Sequence, residues 1–403
     1  IYCLLFLAPV LSLAQADDSI SPFLQFNGNY DFTAIGNTLN LEENNGGPCV
    51  IQTASSAELT LETNQTIVSA HLYWAGSGTL TAEFGGTSDD IVFLNDIEVR
   101  PSPEFDGEAF GASTPTNDYF SYYANVTEIV TSNDEYTLSG LDLTANIPDY
   151  CGNGVNFGGW SIIIIYEDPS LPLNQISLFH GLEIVRGPAN QNNLEITLEG
   201  IDVESEELAK IGFLAWEGDA GINNAESLRI NDFLMSNDQN PSNNAFNGTN
   251  SYTGANDFYN MDLDVYDLED VIEPGETEIQ ISLTSGQDLV LINNIVTSVN
   301  SELPDATIIF DPVEVICDSG DILIDYTVSN ENATKFLPAG VRIAFYAETT
   351  TQNILLDDTR TTTSILQIGE SESGSIELTI PIGDPVFTDV DVFTLKAVVD
   401  FNE

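Results

Sequence analysis

The chain has 403 residues, of which 64 are acidic and only 8 are lysine or arginine, so its formal net charge is −56. This balance excludes binding to the phosphate backbone of nucleic acids and disfavours anionic membrane surfaces. The acidic residues are dispersed among apolar ones, and with 42% hydrophobic residues the chain can bury several cores. The charge therefore indicates the solvated surface of two or three folded domains, for which divalent cations are natural counterions.

Residues 1–16 carry no charge and end in Ala14-Gln15-Ala16, directly before Asp17. An apolar segment followed by an A-x-A site is typical of a secretory signal peptide. Its initiating methionine and basic region are missing, so we expect the sequence to begin inside the signal peptide. The mature protein is then secreted.

Most of the remaining chain predicts strands. Residues 68–74 alternate between apolar positions and Ser69, His71 and Tyr73, which predicts one buried face and one solvated face. Residues 157–169 contain four consecutive isoleucines, which favours a core strand covered on both faces. That apolar run is too short to cross a bilayer, so we expect no membrane insertion. These strands place a first β-sandwich domain at residues 17–170.

Residues 171–305 share features with the first domain. Trp216 follows Trp74 by 142 positions, and at the same offset residues 267–272 correspond to residues 125–130. Each of these hexamers begins with an N-cap residue and has an acid three positions later, which predicts a short capped helical turn. The matches favour a second sandwich that duplicates the first, with convergence of two unrelated sandwiches as the alternative.

The first of two family resemblances rests on the segments around Trp74 and Trp160. A Trp-Ala-Gly strand, followed much later by Gly-Gly-Trp, an aliphatic run and Tyr-Glu-Asp-Pro, occurs at residues 74–76 and 158–169. This pattern resembles the N-terminal module of large secreted surface proteins of Bacteroidota, the flavobacterial kind exported by the type IX route. The resemblance implies a secreted or cell-surface location but does not indicate what the protein binds.

Residues 306–403 have apolar segments at near-regular spacing, which is typical of an immunoglobulin-like (Ig-like) sandwich. Three of its segments resemble the Ig-like adhesion repeats of bacterial surface proteins that are often called CARDB-like, namely 337–340, 369–374 and 397–400. We expect this domain to be truncated at its C-terminus, with further domains of the same chain beyond residue 403.

Three cysteines remain once Cys3 is removed with the signal peptide. No Cys-x-x-Cys pair or Cys/His cluster indicates a zinc or redox site, and in a secreted chain disulfides are the default. Cys49 and Cys151 are the only two in the first domain, so we expect a disulfide between them. For Cys317, the resemblance to Ig-like repeats implies a partner cysteine beyond residue 403, and a buried free thiol is the alternative.

Two acidic stretches of the second domain offer the oxygen ligands that calcium takes. Their candidate metal ligands are Glu217, Asp219, Asp262 and Asp264, with Asn223, Asn224 and Glu226 near the first pair and Asp257 and Asp267 near the second. The alternative is a solvated face, because Asp262 and Asp264 alternate with apolar residues. Residues 237–250, rich in Asn, Ser and Gly, predict a mobile surface loop between the two stretches.

The sequence predicts no catalytic residues and a protein that is not an enzyme. Only two histidines exist, His71 and His180, and Ser319 has no partnered histidine nearby. Close pairs of carboxylates, which a glycosidase would need, arise by chance among 64 acids. The candidates for stacking on a sugar ring are aromatic side chains expected to be exposed, and burial over the core is their alternative: Tyr122, Tyr123, Tyr252 and Tyr259.

We therefore expect an all-β protein of tandem antiparallel β-sandwiches, two of them related and jelly-roll-like and the third Ig-like. Its expected function is that of a non-catalytic segment of a secreted cell-surface protein, in adhesion or carbohydrate recognition. The expected partner is an extracellular glycan or a surface protein, and calcium is the candidate cofactor. The alternative is the accessory region of a secreted hydrolase, such as a glycosidase or peptidase.

Overall fold

The computed structural model describes ten ranges of the chain. For residues 104–109 and 117 it describes the backbone alone. The ranges are 18–44, 49–78, 90–102, 104–109, 117–187, 192–301, 303–310, 320–348, 353–380 and 394–399. The predictions for the signal peptide, Cys317 and Ser319 fall outside the described residues. Within the ranges the regular structure is almost entirely antiparallel β-sheet, which confirms the expected all-β class.

The strands follow one another along the chain with one short helix, α1 (Ile147–Tyr150), and one 3-10 turn (Cys151–Asn153) among them. The strands before residue 170 are β1 (Asp18–Gly28), β2 (Tyr30–Thr38), β3 (Ala54–Glu58), β4 (Thr66–Ser77), β5 (Val92–Leu94), β6 (Ile97–Val99), β7 (Glu104–Ala109), β8 (Asn117–Asn125), β9 (Glu135–Ser139) and β10 (Gly158–Glu167). The middle strands are β11 (Asn174–Arg186), β12 (Asn193–Glu199), β13 (Val203–Trp216), β14 (Ser227–Ile230), β15 (Phe233–Leu234), β16 (Met261–Asp267), β17 (Glu278–Thr284) and β18 (Leu289–Ser301). The last strands are β19 (Ala306–Phe310), β20 (Asp321–Asn330), β21 (Arg342–Glu348), β22 (Asn353–Thr361), β23 (Glu370–Thr379) and β24 (Thr394–Val399).

Four sheets are stacked in layers. The first inner sheet, β2-β10-β4-β8-β7, has the outer sheet β3-β9-β5-β6 on one face. Its other face packs on the second inner sheet, β1-β11-β18-β13-β16, through what we call the central core. The second inner sheet is covered in turn by the outer sheet β12-β17-β14-β15. Each inner sheet therefore has an apolar core on both of its faces.

Strand β10 shows why these sheets can be covered twice. Ile162 and Ile164 face the core under the first outer sheet, whereas Ile163 and Ile165 face the central core. All four are at most 1% exposed. The prediction of a strand covered on both faces is confirmed, because consecutive branched side chains fill the two opposite faces of one strand.

The two sandwiches have corresponding strand orders. The series β2-β10-β4-β8 matches β11-β18-β13-β16, and β3-β9-β5-β6 matches β12-β17-β14-β15. The helical turns predicted after β8 and β16 are both formed, with the Val130 N–H bonded to the Val126 carbonyl at 2.9 Å and the Ile272 N–H to the Leu268 carbonyl at 3.3 Å. Duplication of one ancestral sandwich stays a prediction, and so do the domain limits at residues 170 and 305. Strand β1 precedes residue 170 in the sequence, but it pairs with β11 of the second sandwich.

The expected equivalence of Trp74 and Trp216 is wrong in register. The first turn donates a hydrogen bond to the carbonyl of Ala70 and the second to that of Ala209, which makes these two alanines equivalent. Trp74 stands four residues after Ala70, so its counterpart is Phe213. Trp216 lies three positions further and points to the central core, whereas Trp74 points to the outer one.

The last six strands form a third sandwich. Its sheets are β19-β20-β23 and β22-β21-β24, with an apolar core between them. The Asn332 side chain accepts a hydrogen bond from the Asn27 N–H at 3.0 Å, and the Asn27 side-chain nitrogen donates to the Asn332 carbonyl at 2.7 Å. The third sandwich is thereby linked to the end of β1. Its Ig-like classification stays a prediction.

The disulfide between Cys49 and Cys151 is present, with a Cα–Cα distance of 5.6 Å, which confirms the prediction. In the described part of the chain no helix is long and apolar enough to span a bilayer.

Candidate metal centre

The candidate site lies where the second inner sheet ends. Strand β13 stops at Trp216, which pairs with Met261 at the start of β16 and with Leu291 near the start of β18. Because β13 is antiparallel to both neighbours, the residues that follow it meet those that precede β16 and β18. The turn after β13 carries Glu217 and Asp219, and Asp288 directly precedes β18.

Three carboxylates meet in this place. One oxygen each of Glu217, Asp219 and Asp288 can be chosen so that all three lie within 4.8 Å of one another. The residues are 1%, 2% and 3% exposed, respectively. We call them the carboxylate triad. Two further acids border it: Glu43 lies within hydrogen-bonding reach of Asp219, and Glu226 within reach of Asp288.

Neutral groups of both sandwiches hold the triad. The Asp219 N–H donates to one oxygen of Asp288 at 3.1 Å, and the Leu289 N–H donates to the other at 2.8 Å. The side-chain nitrogen of Asn44 donates to Glu217 at 2.6 Å, and that of Asn260 donates to Asp219 at 3.1 Å. The side-chain oxygen of Asn260 accepts from the Asn44 N–H at 3.1 Å. Since Asn44 belongs to the segment after β2, the site joins the first sandwich to the second.

The backbone around the triad is unusual for residues with side chains. Glu217, Ala225 and Asn260 have φ angles of +75°, +55° and +60°, in the left-handed region that favours glycine. The Glu217 N–H donates to the Asn260 carbonyl at 2.8 Å, which holds the first of these conformations. Such conformations concentrate at functional sites, where the surrounding structure offsets their cost.

The electrostatics of the site are unfavourable without a cation. Burial raises the pKa of Glu217 well above its ordinary value, and the charges of Asp288 and Asp219 raise it further. The pKa values of Asp219 and Asp288 are also raised, mainly by burial. The main charges acting on these three groups are those of other carboxyls. Buried charges need a partner, so the triad must bind protons or a metal ion.

Several buried oxygens next to the triad have no hydrogen-bond partner. They are Oδ1 of Asn44, Oδ1 of Asn244, Oε2 of Glu226 and Oδ2 of Asp262. Asn44 and Asn244 are themselves anchored beside the triad, because their side-chain nitrogens donate to Glu217 and to the Asp219 carbonyl. The buried acidic cluster thus offers oxygen ligands only, and it could hold a metal ion.

Of the four metal ligands predicted from the sequence, the structure brings Glu217 and Asp219 together, whereas Asp262 and Asp264 lie one strand away on β16. Both β16 acids are 0% exposed, so the alternative of a solvated face is wrong. The alternation along β16 was correct, since Met261 and Leu263 face the central core. The opposite face is covered by the loop after β15, which removes the two acids from water.

That loop corrects a second expectation. Residues 237–250 were predicted to form a mobile surface loop, but Phe246 packs in the core of the second sandwich and is 2% exposed. One oxygen of Asp262 accepts hydrogen bonds from the N–H groups of Asn247 at 2.8 Å and Gly248 at 2.9 Å. The loop is therefore folded around a buried carboxylate, which is why it is rich in small and polar residues.

The proposed sugar-stacking tyrosines are not exposed. Tyr122 and Tyr123 are 1% and 4% exposed, so the expectation of a free ring face is wrong for both. Tyr122 packs on Trp74 at a centroid distance of 5.5 Å, and Tyr123 is hydrogen-bonded to His71 at 2.9 Å. Tyr252 and Tyr259 are half-buried. Strand β8 lies inside a sheet that is covered on both faces, which the local pattern did not reveal.

Sequence analysis missed Asp288, which follows Glu217 by 71 positions. A signal for it existed: Asp288 follows the turn residues Ser285-Gly-Gln and directly precedes a long apolar segment. Glu43 carried no signal beyond its charge. The remaining acids of the two stretches do not join the triad, since Asp257 and Asp267 are exposed, as are Asn223 and Asn224.

No family model and no curated protein matches this chain. Among solved structures, a β-porphyranase of glycoside hydrolase family 86 from the human gut bacterium Bacteroides plebeius is similar, with 12% identity and a TM-score of 0.21, over 71% of this chain and 37% of that one. The glycoside hydrolase domain of Endo-D from Streptococcus pneumoniae has 10% identity and a TM-score of 0.17, over 50% of this chain and 33% of its own length. The chain thus spans about a third of these structures, and scores of this size carry no argument about activity.

Proposed function

We propose that this chain is a calcium-stabilised, non-catalytic β-sandwich segment of a secreted cell-surface protein, which serves adhesion or carbohydrate recognition. The observation that carries the calcium part is the carboxylate triad, whose ligand atoms lie within 4.8 Å of one another and are shielded from water. A protein keeps three such charges together when a cation balances them, because desolvated like charges repel strongly.

Calcium fits this donor set better than the other common metals. Zinc and copper favour histidine or cysteine ligands, and the triad has only carboxylates. Magnesium keeps several of its waters, whereas calcium accepts six to eight oxygen ligands, waters included, in irregular geometry. One oxygen from each triad carboxylate, together with the unpartnered oxygen of Asn44, supplies the protein part of such a shell.

A structural role of the ion is supported by its burial. Glycoside hydrolysis needs two carboxyls on either side of an accessible sugar bond. Glu217, Asp219 and Asp288 are at most 3% exposed, so a sugar ring does not reach them. A secreted location is supported by the Cys49–Cys151 disulfide, because such bonds persist in oxidising surroundings. The resemblance to type IX-exported and CARDB-like surface proteins points to the same location.

The calcium site is tested by thermal unfolding of the purified chain in EDTA and in calcium. At a calcium concentration of 100 times Kd, the expected gain in the free energy of unfolding is about 2.7 kcal/mol. Asp219→Asn keeps the size of the side chain but removes a ligand charge, so we expect this variant to lose the response. Asp257→Asn changes an exposed acid and should keep it. An unchanged melting temperature of the wild-type chain in calcium would contradict the proposal.

The recognition part is tested on a glycan array with the same chain, with and without calcium. We expect binding to a restricted set of glycans, weakened in Asp219→Asn to the extent that the variant loses structure. Binding to a bacterial or host surface protein instead would support the adhesion form of the proposal. Turnover of a glycan by the chain would contradict its non-catalytic form.

A further inference from the structure

Three buried acids outside the triad have no cationic partner among the described residues, namely Glu226, Asp262 and Asp264, and the first two accept hydrogen bonds from the same loop. Glu226 precedes β14 and is 1% exposed, and Asp262 lies on β16 and is 0% exposed. Neither belongs to the carboxylate triad. The main charges acting on Glu226 are those of Asp288, which lies within hydrogen-bonding reach, and of Asp262, and both are negative.

Each of these acids uses one oxygen and leaves the other unused. An oxygen of Glu226 accepts from the Phe246 N–H at 2.7 Å, and an oxygen of Asp262 accepts from the next three N–H groups of the same loop. The second oxygen of each carboxylate is buried and accepts no hydrogen bond from an N–H group, although Glu226 lies close enough to Asp288 for the two carboxyls to share a proton. A half-satisfied buried carboxylate is costly, and having two of them on one loop is a strong reason to expect a ligand.

A neutral oxygen completes the set. Asn244 is 4% exposed and stands two positions before Phe246. Its side-chain nitrogen donates to the carbonyls of Asp219 and Ala220 at 3.3 Å, whereas its side-chain oxygen has no partner. The unpartnered oxygens of Asn244, Glu226 and Asp262 are all acceptors, which points to a cation. If protein groups satisfied these oxygens, a hydrogen-bond donor would be expected among their neighbours.

The space beside Asp262 depends on a missing side chain. Gly218 lies between two residues of the triad, and a Cβ atom placed on it would collide with the unused oxygen of Asp262 and with the backbone of Phe246. Gly218 has no positive φ that would require glycine, so it is the close approach of this carboxylate that excludes a larger residue. The unused oxygen of Asp262 is thus directed toward the turn that carries the triad.

We propose that a second divalent cation, of the same oxygen-seeking class as calcium, binds beside Glu226 and Asp262 with Asn244 as a neutral ligand. The proposal rests on the proposed calcium site and extends it to a pair of ions. The first ion ties the segment after β2 to the second sandwich through Asn44. The second ties the loop of residues 243–249 to the turn between β13 and β14.

The number of ions is tested by calcium titration calorimetry of the wild-type chain and by metal analysis after dialysis. Two calcium ions per chain are expected. A single ion would overturn this inference and leave the proposed function standing, whereas no ion would remove both. Asp262→Asn is expected to bind one ion, because it loses a ligand of the second site and leaves the three carboxylates of the triad in place. Retention of two ions by that variant would also overturn the inference, and Asp257→Asn is the control, with two ions expected.

The position of the ions is tested without any substitution, so that a variant that fails to fold does not decide the matter. Wild-type crystals soaked in manganese should give two anomalous peaks, one within the carboxylate triad and one in contact with Glu226 and Asp262. A lone peak within the triad, or a second peak remote from Glu226, would overturn the inference. An absence of peaks in the whole second sandwich would contradict the proposed function as well.

Discussion

His71 lies on the face of β4 that its sequence pattern predicts to be solvated, but the structure buries it. It is 1% exposed and faces the central core, where its ring nitrogens are hydrogen-bonded to Tyr123 at 2.9 Å and to Ser69 at 2.9 Å. The Tyr73 hydroxyl lies 3.4 Å from Nδ1 of His180, and both residues lie in the same core. Burial lowers the pKa of His71 to about 4, and the neighbouring His180 contributes in the same direction. At neutral pH the ring is therefore neutral and shares its hydrogen bonds with uncharged partners.

A pH dependence of stability follows from this residue. The unfolded chain protonates His71 near pH 6.5 and the folded chain near pH 4, so stability is fully present above pH 6.5 and is lost as the pH falls toward 4. At pH 5 the loss from His71 is about 2 kcal/mol. Urea unfolding at pH 7 and pH 5 in saturating calcium measures it.

The comparison with His71→Gln isolates this histidine, because the other titrating groups are common to both proteins. Glutamine can still bond to Tyr123 and Ser69 but does not titrate. We expect the variant to lose less stability than the wild-type chain between the two pH values. Equal losses would show that His71 is not protonated on unfolding.

At the scale of single elements, β10 is the strand on which the layers depend. It pairs with β2 and β4 and sends side chains into two cores. Gly159, near its start, allows the ring of Trp216 to approach from the opposite inner sheet, and Phe157 just before the strand stacks on the same ring at a centroid distance of 5.7 Å. The absence of a side chain at Gly159 thus permits contact with a side chain of the second sandwich.

Gly159→Ala should therefore destabilise the protein. The added Cβ would lie 2.9 Å from Trp216 and 3.1 Å from the sulfur of Met261, and neither buried side chain has room to move. Overpacking of this kind costs about 1–3 kcal/mol in the free energy of unfolding. Gly152→Ala is the matched control, because nothing lies within 4 Å of its new Cβ. Chemical denaturation of both variants makes the comparison, and equal stabilities would contradict the close contact.

At the scale of the whole molecule, the two sandwiches are joined by three different kinds of contact. The central core supplies apolar packing between the inner sheets. The chain itself crosses over, since β1 lies in one inner sheet and β2 in the other. Asn40 and Asn44 of the first sandwich donate hydrogen bonds of 2.6–3.1 Å to Asn260 and Glu217 of the second, and both side chains also donate to the carbonyl of Asn156. The carboxylate triad is consequently a part of the interface between the sandwiches.

Removal of the disulfide should weaken both stability and calcium binding. Cys49 stands five positions after Asn44, which donates to Glu217, and Cys151 five positions before Asn156, whose carbonyl accepts from Asn44, so the bond restrains Asn44 from both sides. Loss of a crosslink over 102 residues costs about 2–5 kcal/mol. A Cys49→Ser/Cys151→Ser double variant should therefore melt earlier and bind calcium more weakly than the wild-type chain. Lower stability with unchanged calcium affinity would show that the bond does not organise the site.

Some features of this protein could be predicted from its sequence because they depend on neighbouring residues or on a unique pair. The isoleucine strand β10 needed only its composition, and the turns at residues 125–130 and 267–272 only their caps and spacing. The Cys49–Cys151 bond followed from the absence of another partner in that part of the chain. Glu217 and Asp219 were identified since they are adjacent and acidic.

The tertiary structure alone decided what covers each face. Alternation along a strand tells which residues share a face, but it does not tell whether that face meets water or a second core. The inner sheets are covered twice, so His71, Tyr123 and Asp262 lie inside although their patterns suggested the surface. Asp288 could not be assigned to the site from the sequence either. Antiparallel neighbours bring distant strand ends together, and no local sequence pattern shows which strands are neighbours.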